Sequence, residues 1–231
     1  GDDISFTTHT ATQASVTISG FTDIALADNL IYRAAELLRP YVQQPCAVHV
    51  DVTKHIPSGA GLGGGSSNAA VTLTTLNSVW QCQLNQQSLL QLALKLGADV
   101  PFFVVGQSAY VTGIGEHIEP MTFYRGSLLL LMPDVAISTA AVFKHPALNR
   151  QQTPLRKDLI TDSRYWINDC FVVVLQDYPE IKQLFTALSP FMTLRLSGTG
   201  SAMFALCQDK QEAQRQQKIA AAYCRTLVIE I

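Results

Sequence analysis

The sequence predicts an α+β protein that is divided into two domains. Its 231 residues are enough for two modest domains, each with a hydrophobic core of its own. A change in composition at 123–126 marks the boundary, so the predicted domains are 1–125 and 126–231. In the second part, strand and helix patterns follow one another in the order of a two-layer, ferredoxin-like domain.

Short-range patterns predict the elements that open the first domain. Residues 1–6 lead into a strand, and residues 14–20 alternate between polar and apolar side chains as a second strand does. Asp28 is expected to cap a helix whose apolar residues recur at helical spacing, namely Ile31, Ala34, Ala35 and Leu38. Valines that alternate with polar residues predict a further strand, at Val48, Val50 and Val52.

A glycine-rich run follows this strand and leads into a helix. Residues 59–65 contain five glycines, and two serines come directly after them. Apolar residues at helical spacing follow at Ala69, Leu73, Leu76 and Trp80. Glycine lets a ligand approach the backbone closely, and the N–H groups and partial positive charge of a helix N-terminus attract phosphate. The run therefore predicts a phosphate-binding loop.

Other interpretations of the glycine run fit less well. The Walker type of phosphate loop ends in Gly-Lys-Ser/Thr, and no lysine follows the glycines here. Gly59, Gly61 and Gly64 match the dinucleotide pattern, but that pattern expects a fully apolar strand and an acid about twenty residues later. The strand alternates, and no acid lies between Asp51 and Asp99. A plain surface loop would not explain the abrupt Ser-Ser start of a helix.

The remaining elements follow in order along the chain. A helix at 89–96 is expected to end at Gly97, and two strands at 108–112 and 116–118 form a hairpin around Gly113 and Gly115. The second domain is predicted to contain a buried strand at 128–132, a loop at 149–163, helices at 169–174 and 180–188, strands at 193–196 and 203–207 around a glycine-rich turn, a helix at 211–223 and a last strand at 226–231.

Asp99 is a candidate functional residue because it is the one acid between Asp51 and Glu116. It precedes the apolar stretch 100–103, and a carboxylate among apolar neighbours is costly unless it has a partner or a task. The alternative is an aspartate that bonds to backbone N–H groups in a turn ahead of proline. The residues alone favour neither of these two interpretations.

Composition and charge limit the classes of partner. The net charge is −2 and no basic run is longer than Arg156–Lys157, which argues against a nucleic-acid partner. The apolar run 128–132 is far too short to span a bilayer, and no signal peptide opens the chain, so no membrane partner is expected. The five cysteines lack a C-x-x-C pair, which is typical of reduced thiols in the cytoplasm, and the scattered histidines do not indicate a protein-bound metal.

The stretch Pro57–Ala70 resembles the second motif of the GHMP small-molecule kinases, which include galacto-, homoserine, mevalonate and phosphomevalonate kinases. Further matches occur in the order of that family, at 28–31, 96–102, 113–116 and 196–200. The triple glycine 63–65 with its Ser-Ser-Asn is similar to the GHMP kinases of the non-mevalonate isoprenoid pathway, whose substrate is a cytidyl diphosphate sugar alcohol.

The resemblance implies a ribosomal-S5-like N-terminal domain that binds ATP and a C-terminal domain on the side of the small-molecule substrate. It implies ATP as co-substrate, with Mg²⁺ held by the phosphates and water, and Asp99 as the catalytic base and a substrate contact. The implied ATP-binding residues are Asn29, Lys54, Pro57, Ser58, Gly59, Ala60, Gly61, Leu62, Gly63, Gly64, Gly65, Ser66 and Ser67. The other implied substrate-binding residues are Thr139, Phe143, Gly198 and Thr199.

Each of these residues has a plainer interpretation. Asn29 could bond to its own helix start, and Lys54 could be a solvated charge at the end of a strand. Phe143, which resembles the aromatic residue that stacks on cytosine, could be an ordinary core phenylalanine. Residues 197–201 could be no more than a hairpin turn.

Two rival functions stay open at the level of the sequence. One is another GHMP kinase with a homoserine- or galactose-like substrate. The other is a nucleotide-binding module without catalysis, because the similar kinases carry roughly forty residues ahead of the point where this sequence begins, including a lysine near the reacting phosphate.

Overall fold

The computed structural model describes residues 1–21, 24–122 and 124–231. The chain forms two compact units. The first consists of Gly1–Ile56 and Gly63–Thr122, and the second of Pro57–Leu62 and Phe123–Ile231. These units differ from the predicted domains, 1–125 and 126–231, chiefly because the short segment Pro57–Leu62 is built into the second unit.

The first unit combines a three-stranded sheet, four α-helices and a hairpin in its described residues. The sheet has the order β1-β3-β2, with β1 antiparallel and β2 parallel to the central strand. The elements are β1 (Asp3–Thr10), β2 (Ser15–Ser19), α1 (Leu30–Leu38), β3 (Cys46–Thr53), α2 (Gly64–Val79), α3 (Gln86–Leu96), α4 (Val100–Val105) and the antiparallel pair β4 (Ala109–Thr112) and β5 (His117–Pro120), with short 3₁₀ turns at Leu26–Asp28 and Arg39–Tyr41.

The core of the first unit lies between one face of this sheet and the apolar stripes of α1, α2 and α3. The valines of β3 that alternate in the sequence are buried, as predicted: Val48, Val50 and Val52. The predicted stripe of α2 is fully buried as well: Ala69, Leu73, Leu76 and Trp80. The indole of Trp80 donates a hydrogen bond to the Cys46 carbonyl at 3.1 Å, which fastens the end of α2 to the start of β3.

Two helix ends differ from their predictions. Asn29, and not Asp28, caps α1, because the Asn29 Oδ1 atom accepts a hydrogen bond from the Ile31 backbone N–H at 2.9 Å. Asp28 instead ends the 3₁₀ turn that precedes the helix. Gly97 does end α3, but its φ of 167° is extended backbone, so the left-handed conformation of a C-terminal glycine is not used there.

The second unit is built on a four-stranded antiparallel sheet of order β7-β8-β6-β9. Its elements are β6 (Ser127–Met132), α5 (Thr139–Lys144), α6 (Cys170–Asp177), α7 (Pro179–Leu188), β7 (Arg195–Leu196), β8 (Met203–Cys207), α8 (Lys210–Ala220) and β9 (Arg225–Glu230), with 3₁₀ turns at Lys157–Leu159 and Ser163–Tyr165. A strand–helix–strand–strand–helix–strand order with this sheet order is the ferredoxin-like arrangement, so the predicted fold class is confirmed.

The two faces of this sheet bury different residues. Leu129 and Leu131 of β6 point to the helical face and share a core with residues of α6, α7 and α8. Leu130 and Met132, which alternate with them, belong to a smaller cluster that includes Ala60 and Ala202. The segment Pro57–Leu62 therefore contributes a buried residue to the second unit.

The five cysteines are all free thiols. Burial raises the pKa of Cys82, Cys170 and Cys207 above the ordinary thiol value, because the charged thiolate is disfavoured in an apolar environment. Among the described residues, no helix combines the length and the apolar character that crossing a membrane requires.

Candidate active site

The second half of the glycine run forms the start of α2. Gly63 lies immediately before the helix with a φ of 67°, in the left-handed region that favours glycine. A Cβ atom on Gly63 would lie 2.5 Å from the Phe103 ring, so this position is closed to side chains for a second reason. At Gly65 a Cβ atom would meet only Leu30, at 3.7 Å. The backbone at Gly65 is therefore exposed, whereas a Cβ atom on Gly64 would meet Ile56 at 3.0 Å. Exposed backbone in the first turn of a helix is what phosphate binding there requires.

The first half of the run belongs to the second unit and is fastened to the turn between β7 and β8. The Ser197 hydroxyl donates a hydrogen bond to the Gly61 carbonyl at 2.8 Å, and the Ala202 N–H donates one to the Ala60 carbonyl at 3.0 Å. Gly61 has a φ of 68°, and a Cβ atom there would lie 2.2 Å from the Ser197 carbonyl oxygen. Two glycine-rich stretches that are far apart in the sequence are thus in direct contact.

The β7–β8 turn is held from its other side by Asn168. The Asn168 amide Nδ2 donates to the carbonyls of Leu196 at 3.0 Å and Gly198 at 2.7 Å, while its Oδ1 accepts from the Cys170 N–H. Gly198 is left-handed, with a φ of 53°. The predicted hairpin turn is therefore present, and its backbone is fixed by a side chain that stands just before α6.

Thr139 and Thr199, two of the predicted substrate residues, lie together in the second unit. Their hydroxyl oxygens are 3.0 Å apart, within hydrogen-bond distance. Thr139 is the first residue of α5 and is exposed, whereas Thr199 in the β7–β8 turn is buried. The pair connects the glycine-rich turn to the helix that carries Phe143.

Phe143 is exposed, with 56% of its surface accessible, so the interpretation as a core phenylalanine is wrong. It lines a cavity of about 720 Å³ in the second unit, together with Trp166 and the two arginines Arg150 and Arg195. The Arg150 guanidinium donates to the Phe143 carbonyl at 2.5 Å, which holds the end of α5 beside this cavity. The arrangement offers a flat aromatic surface next to cationic side chains.

Lys54 in the first unit is part of an ion pair. Its ammonium contacts the carboxylate of Asp2, whose side chain is completely buried. The interpretation of Lys54 as an ordinary solvated charge is therefore wrong. Burial alone would raise the pKa of Asp2, but hydrogen bonds from Ile56 N, Lys54 Nζ, His55 N and Asn68 Nδ2 outweigh it, so the pKa of Asp2 lies well below its ordinary value.

Asp99 stands directly before α4 and is exposed. The expectation that apolar neighbours surround its carboxylate is wrong, because Val100 and Pro101 turn into the core while Asp99 remains at the surface. Within the described part of the chain, its side chain makes no capping hydrogen bond. A Cβ atom on Gly115 would lie 2.0 Å from the Ala98 carbonyl oxygen, so the β4–β5 turn packs closely on the backbone next to Asp99.

The predicted residues are distributed over both units. The first unit contains Asn29, Lys54, Gly63–Ser67 and Asp99, and the second contains Pro57–Leu62, Thr139, Phe143, Gly198 and Thr199. Asn29 is buried and caps α1, which is the plainer of its two interpretations, and a further role toward a nucleotide stays a prediction.

The sequence matches two domains of one kinase family. Residues 29–107 match the GHMP kinases N terminal domain, and residues 146–226 match the GHMP kinases C terminal domain. Together these matches cover most of the chain and fall on both compact units.

The chain belongs to the GHMP kinase family. It is accordingly an ATP-dependent small-molecule kinase.

The relatives of this GHMP kinase indicate which kind of kinase within the family it is similar to. A protein of Acinetobacter baumannii is 41% identical over 201 residues, which are 84% of this chain and 71% of the relative. A protein of Haemophilus ducreyi is 40% identical over 215 residues, which are 93% and 76% of the two chains. Both are named 4-diphosphocytidyl-2-C-methyl-D-erythritol kinase, so the resemblance that the triple glycine suggests is confirmed.

Solved structures agree with this assignment. The crystal structure of a 4-(cytidine 5'-diphospho)-2C-methyl-D-erythritol kinase is 29% identical and superposes with a TM-score of 0.81, over 98% of this chain and 84% of the other. A homoserine kinase from Cytophaga hutchinsonii is 15% identical, with a TM-score of 0.66, over 99% and 85% of the two chains. At that identity the second likeness concerns the fold alone.

Several residues of this GHMP kinase were not singled out by the sequence. Asp2 looks like half of an exposed Asp-Asp pair, and nothing near it signals that its side chain is buried against residues more than fifty positions away. Asn168 does carry a local signal, since an asparagine just before a helix often bonds to the backbone. Ser197 lies inside the 196–200 match, but its bond to Gly61 depends on long-range packing.

Proposed function

We propose that this GHMP kinase transfers the γ-phosphate of ATP to the 2-hydroxyl of 4-diphosphocytidyl-2-C-methyl-D-erythritol, a step in non-mevalonate isoprenoid precursor synthesis. The observation that carries the proposal is the 41% identity, over 84% of the chain, with a relative of that name. The structural likeness to a kinase acting on the same compound supports it.

ATP is proposed to bind at the glycine run. Phosphoryl transfer depends mostly on positioning and on stabilising charge, which backbone N–H groups and a helix N-terminus can supply. The open backbone at Gly65 and the left-handed Gly63 support this role. Lys54 and Asn29 are proposed as further ATP-binding residues, and residues 57–67 are proposed to lie along the phosphates.

Asp99 is proposed as the general base that accepts the proton of the attacking hydroxyl. Its carboxylate is exposed, so a substrate can reach it without unfolding of the unit. The tight packing of the Gly115 turn on Ala98 supports a fixed position for the backbone that carries Asp99.

The cytidyl group is proposed to bind the second domain, 126–231, with its base on the ring of Phe143. An exposed aromatic ring beside a cavity can stack on a flat base. Arg150 and Arg195 outweigh the Asp169 carboxylate in the lining of the cavity, and this net positive charge suits a diphosphate. Thr139, Gly198 and Thr199, which lie together on α5 and the β7–β8 turn, are proposed as further substrate contacts.

Magnesium is proposed to enter with ATP, because Mg²⁺ keeps several water ligands and commonly binds through substrate phosphates. In the described residues no three histidine, cysteine, aspartate or glutamate side chains are grouped as a metal site, so we propose no cage made of protein side chains. When bound, the ion would neutralise phosphate charge. We place the reaction in the cytoplasm, where free thiols stay reduced.

The proposal is tested by ADP release from the full-length protein with ATP and each of four acceptors: 4-diphosphocytidyl-2-C-methyl-D-erythritol, mevalonate, homoserine and galactose. We expect turnover with the first acceptor and at most background with the others. Preferential turnover of another acceptor would point to a different GHMP kinase. ATP binding without turnover of any acceptor would indicate a nucleotide-binding module.

A further inference from the structure

The strongest feature that the proposed mechanism does not use is a buried carboxylate at the start of β1. The Asp2 side chain is completely inaccessible, and four donors converge on its two oxygens. Oδ1 accepts from the backbone N–H groups of His55 at 2.8 Å and Ile56 at 2.9 Å. Oδ2 accepts from the Lys54 ammonium and from the Asn68 amide at 2.9 Å. A carboxylate is the one side chain of this size that can accept from all four.

These four donors stand around the first turn of α2. Lys54, His55 and Ile56 form the backbone that leaves β3 and enters the glycine run, and Asn68 is one turn inside α2. A Cβ atom on Gly64 would lie 3.6 Å from the Lys54 Nζ atom, so the ammonium lies against the start of the helix. Asp2 thus joins three elements at the point where the phosphate-binding stretch begins.

The location of the Lys54 ammonium needs an explanation, because a cation beside the positive end of a helix is electrostatically unfavourable. Asp2 supplies one compensating negative charge from the buried side. The helix start and the ammonium together still favour an anion on the exposed side, and a nucleotide brings that charge. A flexible lysine without a partner would instead extend into water.

We propose that Asp2 is a positioning residue for ATP: its carboxylate holds the Lys54 ammonium against the first turn of α2. This inference rests on the proposed function, which assigns ATP to the same loop. Asp2 does not contact the nucleotide in this scheme. It acts through Lys54.

The test is the affinity of the full-length protein for AMP-PNP, measured by calorimetry in the parent and in the Asp2→Asn variant. Asparagine keeps the shape, but its amide has one acceptor oxygen in place of two, so one pair of the four donors loses its partner. We expect the dissociation constant for AMP-PNP to rise about tenfold or more, the usual loss for a hydrogen bond to a charged group. The affinity for the cytidyl substrate should stay at the parent value.

A double variant separates positioning from general destabilisation. If Asp2 acts through Lys54, Asp2→Asn added to Lys54→Met should weaken AMP-PNP binding no further than Lys54→Met alone. Additive losses would overturn the proposal, and so would an equal loss of affinity for both substrates. If Asp2→Asn does not fold, Lys54→Met alone decides the matter. An unchanged AMP-PNP affinity of Lys54→Met would also overturn the proposal.

The matched control is Asp3→Asn, which alters the neighbouring residue. Asp3 has 82% of its side chain exposed and pairs with His55 at 2.9 Å on the outer surface. We expect its AMP-PNP affinity to equal that of the parent, and a loss as large as that of Asp2→Asn would overturn the proposal. A parent protein that fails to bind AMP-PNP would defeat the proposed function together with this inference, whereas a parent and an Asp2→Asn variant that bind equally well would defeat the inference alone.

Discussion

Gly61 and Ser197 touch through their backbones as well as through a side chain. The Ser197 hydroxyl donates to the Gly61 carbonyl at 2.8 Å, and the Ser197 carbonyl oxygen lies 2.2 Å from where a Gly61 Cβ atom would be. No residue with a side chain fits this position without moving backbone. The glycine run therefore contains positions that serve packing as well as positions that are open to a ligand.

The glycines of the run should respond differently to alanine. Gly61→Ala places a Cβ atom against backbone in left-handed conformation, so we expect the free energy of unfolding to fall by at least about 1–2 kcal/mol. Gly65→Ala lies in a helix with room for a methyl group, so stability should hold or rise by about 0.5–1 kcal/mol while AMP-PNP binding weakens. Denaturant unfolding and calorimetry measure the two effects.

If Gly65→Ala bound AMP-PNP with the parent affinity, the start of α2 would not be the phosphate-binding site. Gly63→Val would not separate phosphate binding from folding. Its Cβ atom would meet the Phe103 ring at 2.5 Å in a left-handed backbone, so ATP affinity and the fold would both suffer.

Asp99→Asn should reduce kcat by at least about 10²-fold, the low end for loss of a general base, with both substrates still bound. Because Asp99 is exposed and caps no helix through its side chain, the free energy of unfolding should change by no more than about 0.5 kcal/mol. Single-turnover kinetics and thermal unfolding of the same samples check both statements. The control is Asp134→Asn, an exposed aspartate of the second unit, which should keep the parent kcat. Turnover of Asp99→Asn at the parent rate would exclude the assignment.

Phe143→Ala should weaken binding of the cytidyl substrate by about 1–3 kcal/mol, the range for stacking of a base on an aromatic ring. The affinity for AMP-PNP should not change. Phe191 offers a matched control, because it is 57% exposed compared with 56% for Phe143 and also lies in the second unit. Calorimetry on Phe143→Ala and Phe191→Ala tests the prediction, and equal losses in the two variants would contradict it.

The buried carboxylate of Asp2 predicts a pH dependence of stability. Its pKa is lower in the folded protein than its ordinary value of 3.8. Below that value the unfolded chain binds a proton that the folded chain does not, so stability is present above about pH 4 and is lost as the pH falls toward the folded pKa. The parent should therefore lose stability more steeply than Asp2→Asn when unfolding is followed from pH 4 downward.

Asn68→Ala provides an intermediate case. It keeps the carboxyl group but removes one of its donors, so its slope with pH should fall between those of the parent and Asp2→Asn. Parallel slopes in the parent and Asp2→Asn would contradict the prediction.

The spacing of apolar residues predicts most of the fold, because it follows from which face of each strand or helix is buried. The alternation of Val48, Val50 and Val52 specifies one buried face, and the spacing of Leu73, Leu76 and Trp80 specifies one buried stripe. The predicted cap of α1, Asp28, is one residue away from the observed cap, Asn29. Both are good capping residues, and only the backbone geometry distinguishes them.

The site was harder to predict because exposure and pairing are long-range properties. The apolar neighbours of Asp99 in the sequence turn into the core, while Asp99 itself stays at the surface. Nothing local distinguishes Phe143, which is exposed, from a core phenylalanine. The partner of Lys54 is Asp2, which lies just before β1, far away in the sequence, and has no motif of its own.

The placement of Pro57–Leu62 in the second unit limits how the chain can be divided. This segment lies within the stretch of sequence that otherwise builds the first unit, and its Ala60 shares a buried cluster with Leu130, Met132 and Ala202. A gene fragment that encodes only the later part of the chain would leave that cluster uncovered. We therefore expect the second unit to need Pro57–Leu62 for its native stability, so that a chain beginning at residue 123 would fold less stably than the same unit in the whole protein.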